Sequence, residues 1–272
     1  MHRDGVELVS ASPGARLRGY VRSYTGYLEP GAAPVTRREL PTGDVALVIS
    51  FGPTLEITDP RSGSVVSPSS FVAGVHDGYA VTQTRGRQHG IEVRLTPIGA
   101  YKLVGVPMNG LANRAVAFEQ LVGRNAELLA ERLSGLNEWD ERFATLDAEL
   151  ERLLRDGPVP SPSTVWAWRR LIETAGRLPI GTLVDELGCS RKHLAERFRV
   201  EIGVAPKTLA RVLRFDRAVR LLRLGRAFAE VAAECGYCDQ AHLNRDVRQL
   251  AGTTPTDLTA VTSIQDAQRQ AV

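Results

Sequence analysis

The sequence predicts an α+β protein with a β-rich N-terminal domain, helices after it, and then an all-α domain. Short apolar runs bounded by turn residues fill residues 17–106, which is typical of strands. A proline-rich segment at 157–163 then interrupts the chain, because prolines at alternate positions favour an extended spacer over a helix. Beyond this segment apolar residues recur at helical spacing, and part of the pattern is repeated.

The composition is that of a globular protein with room for two domains, since 272 residues are 43% hydrophobic and 24% charged. No apolar run is long enough to cross a membrane, and the first residues lack the apolar core of a signal peptide. We therefore expect a cytoplasmic protein with no membrane partner. Residues 1–159 carry 17 basic and 19 acidic side chains, whereas residues 160–272 carry 17 and 12. This asymmetry favours a polyanionic partner for the C-terminal part.

The strand signals of the N-terminal domain are of three kinds. Residues 45–51 are a continuous apolar run ended by Gly-Pro, which predicts a buried strand. Residues 59–63 have the composition of a turn. Residues 85–90 are interpreted as the connection of a hairpin between strands at 79–84 and 91–95.

A helical segment follows at 125–155, with a break near 135–137. Its second half has an apolar stripe at helical spacing, formed by Phe143, Leu146, Leu150, Leu153 and Leu154. We divide the chain into a β-rich regulatory domain with a helical end (1–156), a Pro-rich linker (157–163), an all-α domain (164–260) and a disordered tail (261–272).

The all-α domain contains an internal repeat. Five residues recur 49 positions later with the same identity: His193, Leu194, Arg199, Gly203 and Pro206 match His242, Leu243, Arg248, Gly252 and Pro255. Helices are predicted near 164–177, 180–187, 190–200, 207–224, 227–235 and 239–250.

Each copy of the repeat has the spacing of a helix-turn-helix. In the first copy Gly188 ends one short helix and Ser190 caps the next. In the second copy Gly236 and Asp239 take these positions. The second helix of such a unit enters the major groove of DNA, where the base pairs can be distinguished. The sequence therefore predicts two helix-turn-helix units joined by a linker helix, with double-stranded DNA as the partner.

Helical phase selects the side chains opposite the buried ones as candidates for DNA contact. The first recognition helix offers Arg191, Lys192, Ala195, Glu196 and Arg199. The second offers Gln240, Ala241, Asn244, Arg245 and Arg248. Arginine suits a bidentate contact to guanine, and asparagine or glutamine suits adenine, so the second helix is the better equipped for base readout.

The linker helix carries five arginines at intervals of three: Arg211, Arg214, Arg217, Arg220 and Arg223. A spacing of three drifts around a helix, so these residues do not form one row. We expect one or two of them to contact phosphate and the others to be solvated.

Residues 164–260 resemble the AraC/XylS family of bacterial transcription regulators, and the match is most specific at residues 236–243 and 252–255. Val247 stands where the family usually has an aromatic residue. The resemblance implies a two-headed DNA module, contact with RNA polymerase, and control by a cupin-like N-terminal domain. Such control involves a small-molecule effector or dimerisation. The resemblance leaves open whether the chain forms a homodimer.

Other functions find less support in the sequence. The alternative is a small β-domain enzyme with an accessory DNA-binding domain, but no catalytic or metal-ligating cluster stands out, so we predict no enzyme and no cofactor. Cys235 and Cys238 form a C-x2-C pair, but a structural zinc site needs four ligands, and we predict no metal. A third hypothesis uses the apolar stripe of 143–154 for dimerisation. A ligand pocket is expected inside the β layer, near Phe51, Tyr79 or Tyr101.

Overall fold

A computed structural model describes residues 6–31 and 34–258, and the tail expected at 261–272 lies outside this range. The strands are β1 (Glu7–Ala11), β2 (Val21–Glu29), β3 (Val35–Glu39), β4 (Val45–Ser50), β5 (Glu56–Thr58), β6 (Val65–Val66), β7 (Phe71–Ala73), β8 (Ala80–Thr84), β9 (Gln88–Leu95) and β10 (Ala115–Ala117). The helices are α1 (Pro97–Val104), α2 (Phe118–Val122), α3 (Asn125–Ser134), α4 (Trp139–Asp156), α5 (Pro162–Glu173), α6 (Ile180–Leu187), α7 (Arg191–Glu201), α8 (Pro206–Arg223), α9 (Phe228–Glu234), α10 (Gln240–Ala251) and α11 (Pro255–Leu258). The α+β fold class is confirmed.

The strands form two antiparallel sheets that face each other. The larger sheet has the order β1-β2-β9-β4-β7-β10, and the smaller has the order β3-β8-β5-β6. Strand β4 shows how the layers arise, because its side chains alternate between the two faces of the sheet. Val45, Leu47 and Ile49 belong to the apolar core shared with the helices, whereas Ala46 and Val48 face the space between the sheets.

The prediction of a hairpin at 79–95 is wrong. Strand β8 pairs with β3 and β5 in the smaller sheet, and β9 pairs with β2 and β4 in the larger one. The connection therefore crosses from one sheet to the other. Turn residues mark a reversal of the chain but do not reveal whether the next strand pairs with the last one or with the opposite sheet. The turn predicted at 59–63 is present and joins β5 to β6.

The apolar stripe of α4 lies inside the molecule. Leu146 and Leu150 are fully buried in the same core as the larger sheet, and the Phe143 ring stacks on Tyr24 at 5.8 Å. Dimerisation through this stripe is therefore contradicted, because its side chains are already packed within one chain.

All six predicted helices of the C-terminal part are present, and α11 follows them as a short helix that the sequence analysis did not predict. Helix α5 begins at Pro162, a residue that fits the first turn of a helix because its missing N–H has no helical partner there. The stretch before it contacts both halves of the chain. Lys102 Nζ donates to the Pro158 carbonyl at 3.4 Å, and the Ser161 N–H donates to Glu201 at 3.0 Å.

Candidate nucleic-acid interface and sandwich cavity

Helices α6 and α7 form the first helix-turn-helix unit, and the residues predicted to build its turn do so. Gly188 has a φ of 61°, a left-handed conformation that glycine adopts without a steric penalty, and it ends α6. The Ser190 side chain accepts a hydrogen bond from the His193 N–H at 3.1 Å and caps α7. Leu194 and Phe198 hold α7 against the core and are almost completely buried.

Helices α9 and α10 repeat this arrangement. Gly236 has a φ of 75°, and the Asp239 carboxylate accepts from the His242 N–H at 2.6 Å at the start of α10. Leu243, Val247 and Leu250 face the core and are completely buried. Val247 thus fills the inward position where the resembled family has an aromatic residue.

The candidate residues of α7 lie on its solvent side. Arg191, Lys192, Glu196 and Arg199 are exposed, and Ala195 is half-buried. Lys192 and Glu196 approach to 4.0 Å across one turn of the helix. Such an exposed pair contributes little to stability, so both side chains stay available to a ligand.

The candidate residues of α10 also lie on its solvent side. Gln240, Ala241, Arg245 and Arg248 are exposed, and Asn244 is half-buried. Within the described part of the chain, Arg245 makes no hydrogen bond or ion pair, and the Asn244 Oδ1 atom is buried without a hydrogen-bond partner. This face thus presents a guanidinium with unused hydrogen-bonding capacity, beside an amide whose oxygen is buried.

The arginines of α8 do not act as expected from the sequence. The Arg211 guanidinium donates to Asp246 at 2.9 Å and also bonds Gln249, so it joins α8 to α10. Arg214 donates to the Gly176 carbonyl at 3.0 Å, and Arg217 donates to Glu234 at 2.7 Å.

Arg220 pairs with Asp216 at 3.2 Å, one turn away on the same helix. Each of these four arginines is therefore held by groups of the protein itself. The sequence signal for these pairs is the presence of acidic residues, such as Asp246, on helices that pack against α8.

The cysteines of the two turns differ in exposure. Cys235 is completely buried, and burial raises the pKa of its thiol, whereas Cys238 is exposed. Among residues 6–31 and 34–258, no group of three or more His, Cys, Asp or Glu side chains is arranged to hold a metal ion.

The space between the two sheets is a cavity of about 110 Å³. Its walls are mostly apolar, and they include Leu40, Val48, Ile57 and Phe71. The cavity lies in the β layer, as expected, but none of Phe51, Tyr79 and Tyr101 lines it. Phe51 packs instead against the His89 ring at 5.0 Å.

The polar part of the cavity wall is dominated by acidic groups. Glu39, Asp44 and Glu92 line the cavity together with a single guanidinium, that of Arg94. Arg94 and Asp44 form a close ion pair at 2.6 Å, and the Thr82 hydroxyl donates to Glu39 at 3.2 Å.

His76 also lines the cavity, and burial lowers its pKa below the ordinary value. Its ring is therefore neutral at pH 7.

In the described residues no helix is long and apolar enough to span a bilayer.

Comparisons with known proteins agree with this architecture. Residues 183–260 match a family described as a helix-turn-helix domain, and residues 10–117 match a domain of unknown function, DUF6597. No curated protein matches the chain.

Among solved structures, ToxT from Vibrio cholerae in its P21 form is 11% identical with a TM-score of 0.50, covering 88% of this chain and 98% of that one. ToxT of V. cholerae O395 bound to (E)-4-(8-methylnaphthalen-1-yl)but-3-enoic acid is 10% identical with a TM-score of 0.50, covering 94% and 99%. The C-terminal domain of AraT, a response regulator from Geobacillus stearothermophilus, is 20% identical over 39% of this chain and 91% of that one, with a TM-score of 0.36.

The two ToxT likenesses agree with the fold, and the domain match agrees with the motifs in residues 236–255. Residues 183–260 therefore form a helix-turn-helix domain of the AraC type, and the chain is a DNA-binding transcription regulator.

Proposed function

We propose that the chain recognises one DNA sequence by placing α7 and α10 in successive major grooves. The observation that carries this proposal is the exposed face of each recognition helix, which carries basic side chains on α7 and basic and amide side chains on α10 while the opposite face is buried. Groove-facing basic groups attract the DNA backbone, and the side chains at the front of each helix contact base edges.

Helix α8 supports the spacing that this proposal needs. It has 18 residues, which at roughly 1.5 Å per residue is a rod of about 27 Å. Recognition helices that read the same side of a duplex lie about 34 Å apart, one helical turn. Arg211 anchors α10 to this rod through Asp246, so the second recognition helix has a fixed orientation relative to α8.

The two helices have different roles in the proposal. In α10, Arg245 reads a guanine, and Gln240 or Asn244 contacts adenine. In α7, Lys192 and Arg199 bind phosphate. Arg191 of α7 and Arg248 of α10 add positive charge at the edges of the two faces. Ala195 on α7 and Ala241 on α10 have small side chains, which allows each helix to approach the bases closely.

We also propose that a small molecule in the sandwich cavity controls DNA binding. Apolar cavities with a few convergent polar groups are the usual form of a ligand site. ToxT, which shares the fold, has been solved with a butenoic acid derivative bound. The cavity lies beside a contact between the two halves of the chain. Arg38 of β3 donates to the Ala251 carbonyl of α10 at 3.0 Å, and the next residue, Glu39, lines the cavity.

The test is a selection of duplexes from a random pool with the full chain, followed by footprinting on the selected site. We expect one preferred site with two protected segments about one helical turn apart. Affinity for it should fall steeply with salt, because each phosphate contact releases counterions. Equal affinity for all duplexes, or a single protected segment, contradicts the proposal.

A further inference from the structure

The loop between α5 and α6 lies against α8 and against the turn of the second helix-turn-helix unit. It covers residues 174–179 and leads directly into the first unit. Ala175 and Gly176 both have a left-handed backbone, with φ of 48° and 72°, which reverses the chain beside α8. A Cβ atom at Gly176 would overlap the Ala210 carbonyl of α8, so this close approach requires glycine. The main chains of the loop and of α8 are therefore in direct contact.

Arg214 of α8 contacts this loop and the second unit at once. Its guanidinium donates to the Gly176 carbonyl at 3.0 Å and lies 5.8 Å from the centre of the Tyr237 ring. Tyr237 is buried in the turn between α9 and α10, and its ring meets the His242 ring of α10 edge-on at 5.1 Å. A guanidinium near an aromatic face is attracted by the negative charge of that face. One side chain thus connects the entrance of the first unit to the start of the second recognition helix.

A further contact joins the same two segments without α8. The Arg177 Nε atom donates to the Thr174 carbonyl at 3.2 Å, which holds this side chain along the loop. Gly236, in the turn of the second unit, packs on the aliphatic stem of Arg177, since a Cβ atom at Gly236 would lie 3.3 Å from the Arg177 Cγ atom. The loop before the first unit therefore touches the turn of the second unit directly, beside the helix that joins them.

These contacts fix a quantity that the length of α8 does not. A rod sets the distance between two units, but contacts at its sides are needed to set their relative angle. Binding to DNA depends on both quantities, because one additional base pair between two half-sites separates them by about 3.4 Å and rotates them by about 35°. Arg214 is placed to hold the angle, since it contacts groups that belong to both units.

We propose that Arg214 is a positioning residue that determines the spacing between the two halves of the DNA site. Its contacts with the Gly176 carbonyl and the Tyr237 ring hold the two recognition helices at one relative angle, so that one spacing is bound best. Arg214 itself does not touch DNA, because it is half-buried and bonded within the protein. This inference rests on the proposed recognition of a two-part site by α7 and α10.

The experiment measures affinity as a function of the spacing between the two half-sites. The selected duplex is lengthened or shortened by one base pair between its protected segments, and the full chain is titrated with each duplex by fluorescence anisotropy. We expect the unaltered chain to lose at least about tenfold in affinity for either change, because both helices cannot then enter their grooves together. In Arg214→Met, which keeps the aliphatic stem but has no donors, the loss should fall to about threefold or less, since loosely held units adapt to more spacings.

Arg220→Met is the matched control. Arg220 is on the same helix and carries the same charge, but its ion pair with Asp216 lies within α8 and does not link the two units. The spacing dependence of Arg220→Met should equal that of the unaltered chain, whatever its overall affinity. Arg214→Lys keeps the charge but not the planar guanidinium, so its spacing dependence should lie between those of the unaltered chain and Arg214→Met.

Duplexes that carry one half-site alone separate positioning from folding. The substitution leaves the core of each unit unchanged, so the affinity of Arg214→Met for either half-site should stay within about twofold of that of the unaltered chain. If Arg214→Met alone loses half-site binding, the spacing dependence of Arg214→Lys decides by the same criterion.

Two outcomes overturn the inference. One is a spacing dependence in Arg214→Met that equals that of the unaltered chain. The other is the loss of half-site binding in both Arg214 variants, since Arg214 would then be needed for the fold of the units and not for their separation.

The same data distinguish this inference from the proposed function. If the unaltered chain protects a single segment or binds all duplexes equally, recognition of a two-part site is wrong and the inference fails with it. If the unaltered chain binds a two-part site and Arg214→Met keeps its preferred spacing, only the inference is wrong. A two-part site that the unaltered chain binds equally at every spacing also contradicts only the inference.

Discussion

At the scale of single residues, Arg245 differs from the arginines of α8. The guanidinium groups of Arg211, Arg214 and Arg217 are held by groups of the protein, whereas Arg245 is exposed and makes no such bond in the described part of the chain. Because none of its N–H donors bonds to the protein, all of them are available to a ligand. This freedom, together with its place on the exposed face of α10, supports the proposal that Arg245 reads a base.

Replacing Arg245 tests this role. Arg245→Ala is expected to weaken binding to the selected duplex by about 1–3 kcal/mol and to relax the preference at one base pair, because a bidentate contact to guanine is lost. The measurement is fluorescence anisotropy with the selected duplex and its single-base-pair variants.

Arg18→Ala is the control, since Arg18 is an exposed arginine in the N-terminal half and its loss removes the same charge. A loss of affinity that is equal for every duplex would mean that Arg245 binds phosphate and not a base.

His76 gives a second prediction at this scale, and it concerns pH. Burial lowers the pKa of His76, and the nearby Arg61 guanidinium lowers it further, from an ordinary value of 6.5. The folded state therefore binds fewer protons than the unfolded state as the pH falls below 6.5, and the free energy of unfolding decreases over that range. His76→Gln should reduce the decrease, as measured by urea unfolding between about pH 7.5 and pH 5.

His89 accounts for part of the same pH dependence, since burial lowers its pKa too. The double variant with His89→Gln should therefore flatten the curve further than His76→Gln alone. If His76→Gln leaves the slope as in the unaltered chain, the ring is charged or accessible in the folded state, which contradicts its predicted burial in the neutral form.

At the scale of secondary-structure elements, the helices were predicted well because their ends are coded locally. Ser190 and Asp239 each cap a helix with their own side chain, and Gly188 ends one with a left-handed backbone. These are interactions between residues a few positions apart. The order and approximate bounds of α5 to α10 follow from them.

The strands and the cavity were predicted less completely, because their partners are distant in sequence. Glu92 follows the same alternation as its neighbours on β9, yet only the pairing of β9 with β2 and β4 shows that it faces the smaller sheet. The contacts of the α8 arginines have the same cause, since Arg211 meets an acid 35 positions away. Pattern predicts which face of an element is buried, and tertiary contacts decide what it is buried against.

At the scale of the whole molecule, the boundary predicted at 157–163 does not separate two independent cores. One apolar cluster joins Leu47 and Ile91 of the larger sheet to Leu209 of α8, and a second joins Leu40 to α8, α9 and α10. Each helix-turn-helix unit thus packs on the N-terminal half. Under the proposed control by a ligand in the β domain, these contacts are the physical connection between that domain and the recognition helices.

The contact at the end of α10 is the most specific part of this interface. Arg38 of β3 donates to the carbonyls of Ala251 and Gly252 at 3.0 and 3.2 Å, and its guanidinium lies 4.7 Å from the centre of the Tyr79 ring. The last carbonyls of a helix lack helical donors and carry partial negative charge, so a guanidinium stabilises them. Gly252 leaves no space for a larger residue, because a Cβ atom there would lie 2.1 Å from the Tyr79 ring.

Arg38→Ala removes this contact and is expected to lower the free energy of unfolding by about 1 kcal/mol, a value reduced by partial exposure to solvent. Amide hydrogen exchange should accelerate in α10 and α11 and stay unchanged in the strands of the larger sheet, because only the end of α10 loses a partner. Arg38→Lys keeps the charge but not the two-donor geometry, so its exchange rates should lie between those of the unaltered chain and of Arg38→Ala. If exchange in α10 is the same in all three proteins, Arg38 does not hold the second recognition helix, and any coupling between cavity and helix must run through the apolar cluster around Leu40 instead.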